Sequence, residues 1–197
     1  MTKEKNYLIH PSYFLLGLVM LGITSLFLGF SFAYLYNRVE SGIPPVKLPL
    51  LFYTNSFILI TTSLVLHWTK KQYLSDATDK YKIGLIIALV LSLLFLVAQL
   101  MAYQQLIDSD VLLTQDNMAS YLYVISGLHL LHVVAGLPFL IHFLVTAVIK
   151  MKSPVSVLIY FSDRDKKRKL NLLLTYWHYL DALWIYLILF FAANLII

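Results

Sequence analysis

The sequence contains no cysteine, and only 13% of its 197 residues are charged. The first absence excludes a disulfide framework and any thiolate metal site. The second excludes an ordinary soluble domain, in which about a quarter of the residues are charged. Hydrophobic residues instead make up 60% of the chain. The composition therefore indicates an integral membrane protein.

The few charged residues lie between long uncharged stretches, which are typical of membrane-spanning helices. Each stretch can cross a hydrocarbon core of about 30 Å at about 1.5 Å per helical residue. The first stretch is longer than the apolar run of a cleaved signal peptide. We expect an all-α protein in which residues 1–197 form a single five-helix membrane domain, with spans at about 13–36, 50–68, 83–103, 121–149 and 171–196.

The basic residues are distributed unevenly among the predicted loops. Thirteen of the 15 Lys and Arg residues lie in the N-terminal tail (Lys3 and Lys5), in the loop after the second span and in the loop after the fourth. Because cytoplasmic loops are rich in Lys and Arg, this pattern predicts a cytoplasmic N-terminus and a periplasmic C-terminus. It also explains the net charge of +5 without a nucleic-acid partner. The charged run 163–169 is interpreted as a solvated loop that contacts anionic head groups, with docking of a partner protein as the alternative.

Asp181 is the one acidic residue that lies well inside a predicted span. It shares a helix face with Trp177 and Trp184, and His178 stands one turn before it. An aspartate in a span normally faces protein or water, so it could belong to a proton relay or a ligand site. The alternative is a buried polar clamp, in which the carboxylate accepts a hydrogen bond from His178, a Trp indole or a neighbouring helix. We favour the clamp because no second acidic residue continues a relay.

His129 and His132 are spaced i, i+3 in the fourth span, a spacing that could ligate a metal ion or face a haem. Either site would need further ligands from other helices. The remaining histidines, among them His142 and His178, lie at different depths from this pair. We therefore predict packing histidines, with no metal and no cofactor held by this chain.

Small and hydroxyl residues recur at helical spacing and predict the faces along which the spans pack. Small residues let helix backbones approach, and polar residues hydrogen-bond across the contact. A channel lined by these faces is the alternative, and bundle packing is the default interpretation. The predicted faces consist of Gly22, Ser25, Gly29 and Ala33 in the first span, Asn55 and Thr62 in the second, and Ser92, Gln99 and Tyr103 in the third.

Several of these segments together resemble a known family. Residues 176–184 read Y-W-H-Y-L-D-A-L-W, and residues 126–136 contain G-L-H-L-L-H-V followed by Gly136. Both segments are similar to motifs of subunit III of the haem-copper terminal oxidases, which include cytochrome c oxidase and quinol oxidase. The helices that carry Asn55 and the pair Gln99 and Tyr103 also resemble that family. The similarity extends over essentially the whole chain and fits the short five-helix bacterial form.

The resemblance implies an accessory subunit without a catalytic residue, haem or copper of its own. It implies contact with subunit I above all, with subunit II, and with a respiratory supercomplex. It further implies a phospholipid bound in a cleft between the first two spans and the last three, in a bacterial cytoplasmic membrane. The residues that match the family motifs, with an expected structural role, are Asn55, Gln99, Tyr103, Gly127, His129, His132, Gly136, Trp177, His178, Asp181 and Trp184.

Two positions depart from the family pattern. The first-span glutamate of the family aligns near Ile23, and Ala102 replaces the glutamate before Tyr103. His132, which would face the first of these glutamates, therefore lacks an acidic partner.

Cytochrome c is the expected electron donor of the complex. A quinol oxidase or nitric oxide reductase subunit, a small proton-coupled transporter and a haem-binding membrane anchor remain the alternatives.

Overall fold

The computed structural model describes residues 10–114 and 116–196, which form six α-helices. Five of them are long and apolar enough to cross a membrane, so the predicted all-α protein with five spans is confirmed. Lys3 and Lys5 lie outside the described residues. The helices are α1 (Pro11–Ser41), α2 (Leu50–Leu74), α3 (Thr78–Asp108), α4 (Asn117–Lys150), α5 (Pro154–Ser162) and α6 (Arg164–Ile196).

Local sequence explains where these helices begin and end. Proline stands in the first turn of α1, where its missing N–H removes no helical hydrogen bond. The same helix is capped at its C-terminal end by Gly42, whose φ of 63° is a left-handed conformation that glycine adopts without strain. Asp116 precedes α4, and its carboxylate accepts a hydrogen bond from the Ala119 amide at 2.7 Å.

The expectation that the charged run 163–169 is a loop was wrong, while its contact with anionic head groups stays a prediction. Apart from Asp163, these residues form the first turns of α6, which begins seven residues before the predicted span. Asp163 Oδ1 accepts hydrogen bonds from the amides of Asp165 and Lys166, at 2.9 and 3.3 Å. The alternating charges form ion pairs three residues apart, Asp163 with Lys166 and Asp165 with Arg168. The charge pattern is therefore that of an exposed helix start.

The short helix α5 was not predicted. Ser153 and Ser156 form a capping box at its start, in which each side chain accepts the other residue's backbone N–H. Pro154 occupies the first position, where proline is favoured. Local capping therefore makes a helix of a segment between two spans.

Four of the spanning helices, α2, α3, α4 and α6, form a bundle that we call the four-helix core. α2 runs along α3 and also packs against α6, while α1 packs mainly against α4 and α6. Among the residues that the structure describes, the first two spans are therefore not set apart from the last three, so the predicted position of the lipid cleft was wrong, while the bound phospholipid itself stays a prediction. The physical reason is that α2 belongs to the same packed unit as the helices that follow it.

Glycines mark two close contacts inside the four-helix core. A Cβ added to Gly84 of α3 would collide with the Thr69 side chain of α2. A Cβ on Gly136 of α4 would lie 2.9 Å from the Trp177 ring of α6. The glycines at these points let neighbouring backbones approach closely.

The predicted packing face of α1 was wrong. Gly22, Ser25 and Gly29 are exposed. Nothing lies within 4 Å of a Cβ added at either glycine. The face of α1 that packs on the bundle instead carries Ile23, Phe27, Ser31 and Tyr34.

Candidate functional site

Several of the family-motif residues lie in the interior of the four-helix core, where polar pairs join its helices. Asn55 of α2 donates from Nδ2 to Gln99 Oε1 of α3 at 2.8 Å, and both side chains are fully buried. One turn further along α3, the Tyr103 hydroxyl donates to Ser126 Oγ of α4 at 3.0 Å. These contacts join α2 to α3 and α3 to α4 through polar side chains, whose hydrogen bonds could not be formed with lipid tails.

An aromatic cluster lies next to these polar pairs and is centred on Trp184 of α6. Its indole stacks on Phe52 of α2, with ring centroids 5.8 Å apart. Phe95 of α3 meets the indole edge-on at 5.3 Å, and the His129 ring of α4 lies 5.0 Å from it. Trp184 therefore contacts all three other helices of the four-helix core. Offset and edge-to-face arrangements of this kind are the favoured geometries of aromatic pairs.

The core retains hydrogen-bonding capacity that the described side chains do not use. The atoms concerned are fully buried, and no described residue pairs with them. Each such atom normally costs about 1–3 kcal/mol when it is left without a partner. The atoms are Asn55 Oδ1, Gln99 Nε2, both ring nitrogens of His129, both carboxylate oxygens of Asp181 and Trp184 Nε1.

Asp181 is buried in the four-helix core, and its role as a hydrogen-bonded clamp stays a prediction. Its oxygens accept no hydrogen bond from a described residue, and the Trp184 indole N–H is also unpaired. His178 lies three residues away, so the two side chains point about 60° apart around the helix. The His178 ring instead reaches α2, with Nδ1 2.5 Å from Ser63 Oγ. Ser63 also lies beside Asp181.

The two histidines of α4 face different neighbours. His129 is fully buried against Trp184 and Phe95. The ring of His132 lies 5.9 Å from Phe27 of α1, and its Nδ1 is 2.7 Å from the backbone oxygen of Leu128. Within residues 10–114 and 116–196, no group of three or more His, Asp or Glu side chains is placed to hold a metal ion. The i, i+3 spacing of the histidines therefore serves two separate contacts.

The remaining family-motif positions differ in how tightly they are packed. Trp177 is buried and covers Gly136, where a side chain would collide with it. At Gly127, in contrast, an added Cβ would make an ordinary contact with the Tyr103 hydroxyl at 3.8 Å. Of the positions that depart from the family pattern, Ile23 is nearly buried and Ala102 is fully buried. Both positions at which the resemblance implied a departure from the family pattern are therefore occupied by packed apolar side chains.

A second set of polar contacts, which the sequence analysis missed, joins α1 to α6. The Thr24 hydroxyl lies 2.8 Å from the Tyr179 hydroxyl, and the Tyr186 hydroxyl donates to Ser31 Oγ at 3.0 Å. Arg38 Nη1 donates to Asn194 Oδ1 at 2.7 Å. Because the residue numbers rise together along both helices, α1 and α6 run in the same direction.

We call these three pairs the α1–α6 seam. On α1, its members are Thr24, Ser31 and Arg38, and the interval between neighbours is seven residues. Seven residues are about two helical turns, so these side chains lie on one face. This spacing is the signal from which the seam could have been predicted.

Comparison with known proteins agrees with this architecture. The family model for Cytochrome c oxidase subunit III matches residues 28–193 of the chain. Cytochrome c oxidase subunit 3 of Synechocystis sp. is 30% identical over 186 residues, which cover 90% of this chain and 74% of that protein. The proteins of the same name from Tachyglossus aculeatus aculeatus and Ornithorhynchus anatinus are 25% and 24% identical, and the matches cover 87% of this chain and 66% of each. The chain therefore belongs to the cytochrome c oxidase subunit III family, whose members are accessory subunits of haem-copper oxidases.

Proposed function

We propose that this chain is a non-catalytic subunit that stabilises the oxygen-reducing core of a proton-pumping cytochrome c oxidase. The family match over residues 28–193 carries the proposal. The arrangement of the buried polar residues supports it, because Asn55 pairs with Gln99, and Tyr103 with Ser126, across neighbouring helices. In this proposal, haem and copper belong to partner subunits, and the polar groups of this chain hold its own helices in register.

The proposed membrane is the cytoplasmic membrane of a bacterium, with the N-terminus in the cytoplasm and the C-terminus in the periplasm. The ends of α2 and α4 and the start of α6 carry Lys70, Lys71, Lys150, Lys152 and the basic residues of 164–169. The opposite end of the bundle carries Arg38 and Lys47, together with Asp108, Asp110 and Asp116. Lys and Arg accumulate on the cytoplasmic side of membrane proteins, which supports this orientation.

The proposed partners are subunit I as the main contact, subunit II and surrounding phospholipids, with assembly into a respiratory supercomplex. Large apolar side chains cover the outer faces of the spanning helices. On α3, for example, Val90, Leu93, Leu94 and Val97 are all exposed. Such faces require lipid tails or other membrane helices around them.

Purification through a tag on this chain tests the proposal. Solubilisation in a mild detergent should recover a haem-containing complex that consumes oxygen with reduced cytochrome c as donor. Stripping this chain from the complex should leave the haem absorption with the other subunits. Stoichiometric haem or copper in the isolated chain would contradict a non-catalytic role. Oxygen consumption with a quinol but not with cytochrome c would instead identify a quinol oxidase.

A further inference from the structure

The short helix α5 has two apolar faces, one of which is covered by the protein. Tyr160 is buried, and Val157 and Phe161 are partly buried beside it. On the other face, Val155, Leu158 and Ile159 leave 68%, 67% and 63% of their surface exposed. These three residues are spaced i, i+3, i+4 and form a continuous strip, which we call the α5 strip. Exposed apolar surface of this kind is costly in water.

Aromatic contacts hold α5 against the end of α2 and the start of α3, next to the turn that joins these two helices. Tyr73, near the end of α2, donates from its hydroxyl to the backbone oxygen of Tyr160 at 3.3 Å. The ring of Tyr73 lies 5.1 Å from that of Phe161, and Tyr81 near the start of α3 lies 6.3 Å from Tyr160. These three tyrosines are buried in the protein, so they hold α5 against the turn that joins α2 to α3. Because both spans end at that turn, α5 lies at the membrane–water boundary.

Basic residues flank the α5 strip on both sides. Exposed Lys150 and Lys152 precede the helix, and exposed Arg164, Lys167 and Lys169 follow it. Asp163 and Asp165 pair with Lys166 and Arg168. None of the five exposed basic residues forms an ion pair with a residue that the structure describes. An apolar strip between free cations matches the chemistry of an anionic phospholipid surface, in which phosphates lie above acyl chains.

We propose that α5 is a membrane-surface helix that binds anionic phospholipid. The α5 strip lies among the upper acyl-chain segments of one leaflet, and the five flanking cations bind the phosphates around it. Tyr160 and Phe161 hold the helix to the ends of α2 and α3, so the binding surface is fixed to the four-helix core. The site lies at the basic end of the bundle, outside the helix interior that the family motifs occupy.

Single cysteines provide a direct test, because the natural chain has none to remove. Nitroxide labels at Val155→Cys, Leu158→Cys and Ile159→Cys would be measured in the full complex in lipid nanodiscs, with unsubstituted complex as the labelling background. Collision with oxygen reports a lipid environment, and collision with a water-soluble nickel chelate reports solvent. We expect oxygen to dominate at all three positions, and nickel to dominate at the controls Lys152→Cys and Lys167→Cys. Nickel access along the α5 strip, or protection from both reagents by a protein partner, would overturn the proposal.

A second arm tests the preference for anionic lipid. The label at Leu158→Cys should become several-fold less accessible to nickel when phosphatidylglycerol is added to phosphatidylcholine nanodiscs. Replacing Lys150, Lys152 and Lys167 with glutamine should abolish this response. The matched control is Lys47→Gln at the opposite end of the bundle, which should leave the response intact. Equal accessibility in both lipid compositions would overturn the assignment to anionic lipid, and neither arm depends on oxidase activity.

Discussion

The four-helix core and α1 solve the same packing problem in different ways. In the core, glycines at positions 84 and 136 let backbones approach, and aromatic rings fill the space around Trp184. On α1, the glycines at positions 22 and 29 face away from the bundle, and the polar pairs of the α1–α6 seam attach the helix together with its buried apolar face. Lipid tails are as apolar as leucine, so burial alone favours neither arrangement. The difference teaches that close fit holds the core and hydrogen bonding orients α1.

The largest effect should follow loss of the ring at the centre of the core. Trp184→Ala removes the side chain that contacts Phe52, Phe95 and His129, and it leaves a cavity among them. We expect a loss of about 3 kcal/mol or more in the free energy of unfolding. Denaturant titration of the purified chain in mixed micelles measures this loss. The control Phe32→Ala removes a ring that is 69% exposed on α1 and should change stability little; equal losses would erase the contrast between the two regions.

A smaller effect should separate the two kinds of glycine. Gly84→Ala places a methyl group against Thr69, and overpacking of this kind costs about 1–3 kcal/mol. Gly29→Ala meets open space and should be neutral or slightly stabilising, because alanine is the better helix former. Thermal unfolding of both variants tests the comparison. Thr69→Ala, combined with Gly84→Ala, should recover part of the loss, and a full loss in the double variant would point to a cause other than this contact.

Removal of single hydrogen bonds in the α1–α6 seam should lower the free energy of unfolding by a still smaller amount. Tyr179→Phe and Tyr186→Phe each keep the ring and remove the hydroxyl that bonds to Thr24 or Ser31. Hydrogen bonds between membrane helices contribute about 0.6 kcal/mol on average. We expect losses of about that size, together with faster proteolysis at the α1–α2 connection. Tyr36→Phe is the matched control because Tyr36 is 68% exposed; an equal effect there would show that the seam contributes nothing specific.

The smallest effect should come from Asp181→Asn. The carboxylate accepts no hydrogen bond from a described residue, so the amide removes a buried charge and breaks no such contact. Burial of an unpaired charge is unfavourable, and stability should therefore be unchanged or slightly higher. Association with the catalytic subunit and oxygen consumption, measured on one preparation, should both stay close to those of the unchanged complex. Intact assembly with collapsed turnover would instead assign Asp181 to proton transfer.

Sequence reasoning reached the five spans because a long uncharged run in a membrane protein has few structural alternatives. It missed α5 and misread the start of α6, because charges at a membrane boundary are compatible with a loop or a helix. The capping box at Ser153 stabilises the start of α5, and the i, i+3 ion pair of Asp165 and Arg168 stabilises the first turns of α6. Both are local signals that the sequence contains. The periodicity of small residues also misled the assignment of the α1 face.

The α1 face shows why one helical period can support two opposite predictions. At about 100° per residue, Gly22 and Gly29 lie on the side of the helix opposite Thr24 and Ser31. The small residues predicted a close approach on one side of α1, whereas the helix makes contact through the opposite side, which carries these hydroxyl residues and the buried apolar residues. The partner of His178 could not have been predicted from its own helix, because Ser63 lies 115 residues away. Such pairings depend on how the helices rotate against one another.

The α1–α6 seam also sets the order in which the protein can mature during synthesis. Its three pairs join residues 155 or 156 positions apart, so the first helix enters the membrane long before its partner exists. At about 5–20 residues per second, the ribosome needs about 8–30 s to supply that separation. Thr24, Ser31 and Arg38 face lipid, translocon or chaperone during this interval. α6 is therefore the helix that docks α1, and the α1–α6 seam can close only after α6 has been made.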